Sequence, residues 1–407
     1  MRPEEEEWYI GIELGREWTM VSCYGAGMKE PETKGLVTGS QSYRIPTAIC
    51  KKNGINQWYL AEKPEGIYIS HLLEKAAGKE QVETEAGESY GAEELFQVFL
   101  RKVMRMVMPG RGMSAVTRCV FSVEWITMEV TELLMESAKR LGLEPEQVII
   151  QDNKESFYAY AVSQEPELWL YETALFSCEN QKVTYWEMSH DKKTMPQISG
   201  VREQYLGELP EEDSERDLEF FKMVQKAING RIVSSVYLIG DGFEGGWLKE
   251  SLQAVCRGRR AFQGKNLYTK GACYAGVINT HPEKQETIYF CEYKTKKNVF
   301  LKASNKEREY MYPLVEAGQN RYQIRKTCCI LLEGEPVLDV WTQHPGKKEA
   351  VIESLELHGL EPVSEKGCRL EIQIKGRLQE GLQMQVRDIG LGEILPGSSQ
   401  EWEYEIG

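Results

Sequence analysis

Cysteine and histidine are present, but never at the spacing that metal sites require. The ten cysteines are scattered singly from Cys23 to Cys368, apart from the adjacent Cys328 and Cys329, and the chain has only five histidines. Zinc centres and disulfide frameworks depend on regularly spaced cysteines, such as CxxC pairs. We therefore expect no metal site of this kind, and cysteines that stay reduced inside the cell.

Long apolar stretches and an excess of positive charge are also missing. No window approaches the ~18 apolar residues of a membrane-spanning helix, and the acidic run Glu4–Glu7 stands where a targeting segment would be apolar. The 63 acidic residues outnumber the 49 lysines and arginines, and the net charge of −14 repels a phosphate backbone. These features predict a cytoplasmic protein that binds neither nucleic acid nor a membrane.

The sequence does contain enough apolar material for packed cores. Of its 407 residues, 41% are hydrophobic and 28% are charged, which is typical of a globular protein of two or three domains. Helical and strand patterns alternate up to about residue 280, whereas beyond about residue 285 apolar residues alternate with polar ones, as in Leu370, Ile372 and Ile374. We predict an α/β domain over residues 1–282 and an all-β domain over residues 286–407.

Apolar periodicity places the main elements of the α/β domain. Two hairpins are predicted, one from Trp8–Leu14 with Met20–Tyr24 and one from Ala174–Phe176 with Val183–Met188. Residues 30–90 and 208–215 look rich in loops. Five helices are predicted. The first two end at Pro109 and Gly110 and near Gly142, and the other three cover Glu155–Val162, Leu218–Ile228 and Trp247–Cys256.

The first segment that can carry chemistry is the turn of the first hairpin, which contains Glu13 and Gly15. A glycine lets backbone N–H groups approach an anion, and an acidic side chain beside it can hold a metal-bound water. Tight hairpin turns also contain glycine for purely structural reasons, and that alternative stays open.

Two further segments follow buried strands. Gly240, Asp241 and Gly242 come directly after the strand Val236–Ile239 and before a predicted helix, where a nucleotide can lie against the backbone. Asp152 ends another strand, where a carboxylate can orient a water or a hydrated cation. An acidic residue ahead of a helix is equally well explained as its N-cap.

The order and spacing of these segments resemble the actin-like (ribonuclease-H-like) ATPase superfamily, and within it the seventy-kilodalton heat-shock chaperones. In that family Glu13-Leu14-Gly15 would be the first phosphate turn, Gln151–Ala161 the connecting segment, and Gly240–Gly242 the adenosine turn. The resemblance implies ATP or ADP with Mg²⁺ as cofactor. It implies catalytic roles for two residues and cofactor contacts for four: Asp152 and Glu13, then Gly15, Gly240, Asp241 and Gly242.

The C-terminal part extends the resemblance. Glu333–Glu335, Leu355–Pro362 and Leu382–Asp388 follow the order of motifs in the β-sandwich domain with which those chaperones hold peptides. The resemblance therefore implies an all-β sandwich domain and a protein or peptide partner bound through it.

The chain departs from the family where the family performs its chemistry. The second phosphate turn aligns with Ser177–Lys182, which has no glycine, and Arg16 and Glu17 replace hydroxyl residues of the first turn. The short interval from Lys182 to Gly240 implies a reduced small subdomain. We expect a chaperone-like peptide-binding or scaffolding protein that does not hydrolyse ATP and binds nucleotide weakly or not at all. The alternative is a working ATPase in which Glu13 and Asp152 hold Mg²⁺.

Overall fold

The computed structural model describes residues 2–407 except for 5, 38–41, 53–56, 61–62, 65, 85–86, 109, 306–307, 361–362, 378–380, 392–395 and 399. Pro109, used above as a helix stop, and Pro362, used in a chaperone-like segment, lie outside the described residues. The chain divides into two compact units. The first comprises Met1–His190 and Ser199–Gln285, and the second comprises Asp191–Ile198 and Glu286–Gly407.

The first unit is mixed α/β, as the sequence predicts. Its strands are β1 (Trp8–Leu14), β2 (Trp18–Gly25), β3 (Glu32–Lys34), β4 (Ile45–Pro46), β5 (Ile49–Lys51), β6 (Trp58–Tyr59), β7 (Ile67–Ile69), β8 (Gln81–Glu83), β9 (Ser89–Gly91), β10 (Arg118–Val123), β11 (Val148–Asp152), β12 (Glu172–Glu179), β13 (Lys182–Asp191), β14 (Gln197–Glu208), β15 (Val233–Ile239) and β16 (Arg260–Gly264). Its helices are α1 (Leu72–Ala77), α2 (Ala92–Val107), α3 (Met128–Leu141), α4 (Asn153–Val162), α5 (Asp213–Ile228), α6 (Glu250–Cys256) and α7 (Leu267–Thr280).

Two sheets of this unit have the same internal order. The first runs β11-β10-β1-β2-β3 and the second β16-β15-β12-β13-β14, so the strands of each, numbered along the chain, lie in the order 5-4-1-2-3. In each sheet the first two strands form an antiparallel hairpin, and the first strand runs parallel to the fourth. Both predicted hairpins are confirmed. Because the first, fourth and fifth strands run parallel, their carboxyl ends meet at one edge of the sheet.

Each sheet has its own apolar core, and α7 packs closely against the first sheet and α4. Phe96, Phe99 and Phe121 lie in the core of the first sheet, and Phe176 and Phe220 lie in the core of the second. A Cβ added to Gly271 in α7 would come 2.0 Å from the backbone oxygen of Ser156 in α4. The small residues of this helix are therefore explained by the close approach of two backbones.

The second unit is β-rich. Its strands are β17 (Thr287–Tyr289), β18 (Asn298–Asn305), β19 (Arg308–Val315), β20 (Arg325–Gly334), β21 (Val337–Gln343), β22 (Val351–Glu356), β23 (Val363–Gly376), β24 (Leu382–Asp388) and β25 (Glu401–Ile406). They include two four-stranded sheets, β19-β18-β21-β22 and β20-β23-β24-β25. One core takes residues from both sheets, such as Leu301 and Val340 from the first and Ile372 and Met384 from the second. The predicted alternation is confirmed, and no α-helix occurs in the described part of 286–407.

Some elements differ from their predicted form. The segment predicted as loop-rich over 30–90 contains the short strands β3 to β9 and helix α1, and β14 occupies a stretch for which no strand was predicted. Much of β14 is exposed, so its sequence lacks an apolar alternation. In α5 the buried face contains Phe220 and Val224, while Leu218 is 51% exposed. Helix α6 begins at Glu250 rather than Trp247.

In the described chain, no helix combines the length and the apolar character that crossing a membrane requires.

Candidate functional site

Acidic residues that are far apart in the sequence lie at the carboxyl ends of the parallel strands, at one edge of each of the two sheets. Glu13 in β1 is in register with Ser122 in β10, and Glu124 directly follows β10. In the second sheet, Glu179 ends β12 and Asp241 follows β15. Strand ends of this kind are the usual place for ligand sites in α/β sheets.

An arginine from the first sheet pairs with both acids of the second edge. The Nη2 atom of Arg44 lies 3.0 Å from Oε1 and 3.2 Å from Oε2 of Glu179, and its Nη1 donates to Asp241. Arg44 directly precedes β4, which pairs with β2 of the first sheet. Its side chain is 23% exposed, so the ion pairs are partly shielded from water. We call Glu13, Glu124, Glu179 and Asp241, with Arg44, the acidic cluster.

Glu13 is the most enclosed acid of the cluster. Its Oε2 atom is buried and has no hydrogen-bond partner among the described residues. Burial raises the pKa of Glu13 to about 8; Arg44 opposes this rise, and Glu179 and Glu124 add to it. Glu13 is therefore largely protonated at neutral pH, unlike an ordinary glutamate.

The first predicted phosphate turn, at Gly15 and Arg16, already faces a carboxylate of the chain. Burial raises the pKa of Glu124, and a hydrogen bond from the Arg16 backbone opposes that rise. A Cβ on Gly15 would come 3.0 Å from Oε1 of Glu124. The side chain of Arg16 points elsewhere and forms an ion pair with Glu74 at 2.7 Å. A phosphate at this turn would meet the Glu124 carboxylate.

The second predicted phosphate turn is a tight two-residue connection between β12 and β13. Asn180 and Gln181 both have positive φ angles, 49° and 66°, while Glu179 pairs with Lys182. Positive φ at both central positions is typical of the hairpin turns that match strand twist. Gln181 also accepts a hydrogen bond from the Leu209 backbone at 2.8 Å.

The glycines of the predicted adenosine turn pack against the chain itself. A Cβ on Gly240 would lie 2.3 Å from the backbone oxygen of Cys178, and one on Gly242 would lie 2.1 Å from the Cys178 sulfur. Asp241 between them is held by Arg44. The need for glycine at these two positions is thus explained by their contact with β12.

The helix after this turn has its N-terminus sealed by Asp217, a residue of α5. The Asp217 carboxylate accepts hydrogen bonds from the backbone N–H groups of Lys249 (3.0 Å), Glu250 (2.9 Å) and Ser251 (3.1 Å), and from the Ser251 hydroxyl. Burial raises the pKa of Asp217, but these hydrogen bonds outweigh it and lower the pKa to about 2. The anion-binding groups that the sequence analysis assigned to a nucleotide are occupied by this carboxylate.

Asp152 acts as a helix cap. Its Oδ1 accepts a hydrogen bond of 2.7 Å from the Glu155 backbone at the start of α4. The N-cap alternative is therefore confirmed, and its catalytic role stays a prediction.

The sequence analysis missed Arg44, Glu124 and Asp217. Asp217 had one local signal, because it is a charged residue on the otherwise apolar face of an amphipathic helix. Arg44 lies between short strands in a segment without clear periodicity, and nothing in its neighbourhood predicts its partners.

Two known protein families match parts of the chain. Residues 30–292 match the family described as "Family of unknown function (DUF5716) C-terminal". The chain belongs to the DUF5716 family. Residues 294–407 match a second description, "Domain of unknown function (DUF8552)". No curated protein matches the chain.

In this member of the DUF5716 family, several groups of the segments assigned to nucleotide already have partners within the chain. Glu124 accepts from the first turn, Asp217 seals the N-terminus of α6, and the acids Glu179 and Asp241 are already paired with Arg44. The Arg44 guanidinium that could attract further negative charge is already used by the ion pairs with Glu179 and Asp241. Among the described residues, the acids and histidine close enough to share a metal ion are Glu4, Glu7 and His281, outside this cluster.

Proposed function

We propose that this protein is a cytoplasmic, chaperone-like member of the actin-like fold that does not hydrolyse ATP and binds a protein or peptide partner through its β-rich unit. The observation that carries the proposal is the pair of ion contacts from Arg44 to Glu179 and Asp241. These ion pairs place the chain's own charges at the turns that the resemblance assigns to phosphate and adenosine.

The strand order supports the actin-like part of the proposal. Two sheets of the first unit have the same order, 5-4-1-2-3, and this internal repeat supports a fold built from two similar halves. In the second unit, two four-stranded sheets share one core, which is the arrangement expected of a β-sandwich. The resemblance to the chaperone peptide-binding domain rests on this arrangement and on the order of the sequence motifs.

Nucleotide binding is the first test. Calorimetry and thermal unfolding of the full chain with ATP or ADP and Mg²⁺, at about 1 mM, should show no binding heat and no rise in Tm, since a bound ligand stabilises the native state. A steady-state assay should show no ATP hydrolysis. Magnesium-dependent turnover that Asp152→Ala abolishes and Asp213→Ala preserves would instead establish the ATPase alternative. Asp213 is a suitable control because it is an exposed residue in the first turn of α5.

Partner binding is the second test. A panel of labelled peptides measured by fluorescence anisotropy should include peptides that bind the full chain. Their affinity should be the same with and without ATP and Mg²⁺, because no nucleotide state exists to shift it. A nucleotide-dependent affinity would contradict the proposal, and so would a panel in which no peptide binds.

A further inference from the structure

The second unit contains a pocket that no step above has used. Its volume is about 410 Å³, within the range of small-ligand sites. It lies where the two sheets end together: Val299 in β18 is in register with Thr342 in β21, and Leu382 in β24 with Ile406 in β25. The lining residues include these four, with Gly381 and Gly407, and they also include the chain segment before β18.

The polar side of the pocket is cationic. Lys294, Lys296, Lys297 and Arg321 line it, and no acidic side chain does so among the described residues. Lys297 donates to a backbone oxygen of Gly407, which also lines the pocket, so this lysine already has a partner. In a chain with a net charge of −14, four cations around one pocket are a local reversal of charge. The neighbouring His344 responds to the same field: burial lowers its pKa, and Lys347, Lys296 and Lys297 lower it further.

Two polar groups of the pocket lack partners. The hydroxyl of Thr342 belongs to a side chain that is buried, with 2% of the residue exposed, and it has no hydrogen-bond partner within the described structure. The Nε of Arg321 is likewise buried without a partner there. Its Nη2 does contact the Tyr322 hydroxyl at 3.2 Å. Buried donors are normally satisfied, so these two side chains keep unused hydrogen-bonding capacity at the pocket wall.

The opposite side of the pocket is apolar. Val299, Leu382 and Ile406 contribute aliphatic side chains, and all three are buried members of the core shared by the two sheets. A ligand that reaches the cations therefore also contacts aliphatic surface, which favours a partly apolar molecule over a bare ion.

We infer that this pocket binds a carboxylate carried on a short aliphatic group. Arg321 and Thr342 donate to the carboxylate oxygens, the lysines supply the favourable field, and Val299, Leu382 and Ile406 cover the aliphatic group. Inorganic phosphate is less well matched, because it has no apolar part to place against the aliphatic side of the pocket.

Two sources offer this chemistry, a free aliphatic acid and the C-terminal carboxylate of a peptide that ends in an aliphatic residue. The inference does not depend on the proposed function, since every residue of the pocket lies in the second unit and none belongs to the acidic cluster. Binding at this pocket can therefore succeed or fail whatever nucleotide does in the first unit.

The experiment is calorimetry of the full chain with three probes: octanoate, an acetylated pentapeptide ending in leucine, and the same peptide with a C-terminal amide. We expect at least one carboxylate probe to bind and the amide to bind about tenfold more weakly or not at all, because a hydrogen bond to a charged group is lost. Binding by octanoate alone identifies a free acid as the ligand, and tighter binding by the peptide identifies a peptide end.

Variants locate the binding. Arg321→Met and Thr342→Val should each weaken the carboxylate probe about tenfold, whereas Arg387→Met should leave its affinity unchanged. Arg387 is a matched control, because it is an arginine of the same unit that pairs with Glu401 and does not line the pocket. Thermal melts establish that each variant folds, and the comparison of acid with amide needs no variant.

Four results would overturn the inference. These are equal binding of the amide, affinities that neither Arg321→Met nor Thr342→Val changes, inorganic phosphate that displaces the carboxylate probe, and no binding by either carboxylate probe at about millimolar concentration.

Discussion

Arg44 and Glu179 stand 135 residues apart in the chain, yet Nη2 of the first lies 3.0 Å from Oε1 of the second. The contact joins a segment of the first sheet to the last residue of β12 in the second. It brings a positive charge to a place where four acids would otherwise face one another. This relationship explains how the chain offsets part of the repulsion within its acidic cluster.

Replacing Arg44 should therefore destabilise the first unit. We expect Arg44→Gln to lower the free energy of unfolding by about 1–2 kcal/mol, a value discounted because Glu179 and Asp241 are each about half exposed. Urea unfolding at neutral pH measures the change. Arg140→Gln, which removes an exposed ion pair with Glu136 on α3, is the matched control and should cost about 0.5 kcal/mol or less. Equal losses in the two variants would contradict a special role for Arg44.

Glu13 should make stability depend on pH. Because burial raises its pKa from the ordinary value of 4.5 to about 8 in the folded state, the folded chain holds a proton that the unfolded chain releases. The contribution of Glu13 is fully favourable below about pH 4.5 and is lost as the pH rises through about 8. Glu13→Gln removes this dependence, so its stability relative to the wild type should rise from pH 5 to pH 8 and then level off. Denaturation at a series of pH values tests this, and a difference that does not vary with pH would refute it.

Asp217 should contribute more to the free energy of unfolding than an ordinary surface acid does. Asp217→Asn leaves three backbone N–H groups of α6 with a weaker acceptor, so we expect a loss of about 1–2 kcal/mol. Because its pKa is lowered to about 2, its contribution is present above about pH 4 and declines as the pH falls toward 2. Thermal unfolding of Asp217→Asn beside Asp213→Asn, an exposed aspartate of the same helix, provides the comparison. Similar Tm values for the two variants would show that the cap contributes little.

A double-variant cycle can test whether Gly242 of the predicted adenosine turn is needed for packing or for the close approach of a ligand. Gly242→Ala should cost about 1–3 kcal/mol, because the added Cβ would lie 2.1 Å from the Cys178 sulfur. In a Cys178→Ala background the same change should cost about 1 kcal/mol less. Gly246→Ala is the control, since its Cβ would meet no atom within 4 Å. A cost that is independent of Cys178 would point away from packing.

Several features of the site could be predicted from the sequence. Glu13, Gly15 and Asp152 were placed at the ends of strands β1 and β11, where the structure has them, because each follows a buried apolar run. The hairpin around Asn180 was recognisable because two apolar strands flank a short polar segment. Helix α6 was predicted three residues too long at its start, since its N-terminus depends on Asp217 in another helix.

The sequence by itself determined the α/β character of the first part and the β-rich character of the second. Patterns such as the alternation of Leu382, Met384 and Val386 encode which face of one strand is buried, and that is a local property. Only the tertiary structure decided what the acidic residues do. Arg44 pairs with Asp241, which lies 197 positions away in the sequence. The side chain of Thr342 is buried where two sheets end together. Charge pairing and burial depend on distances through space, which the spacing of residues along a chain does not specify.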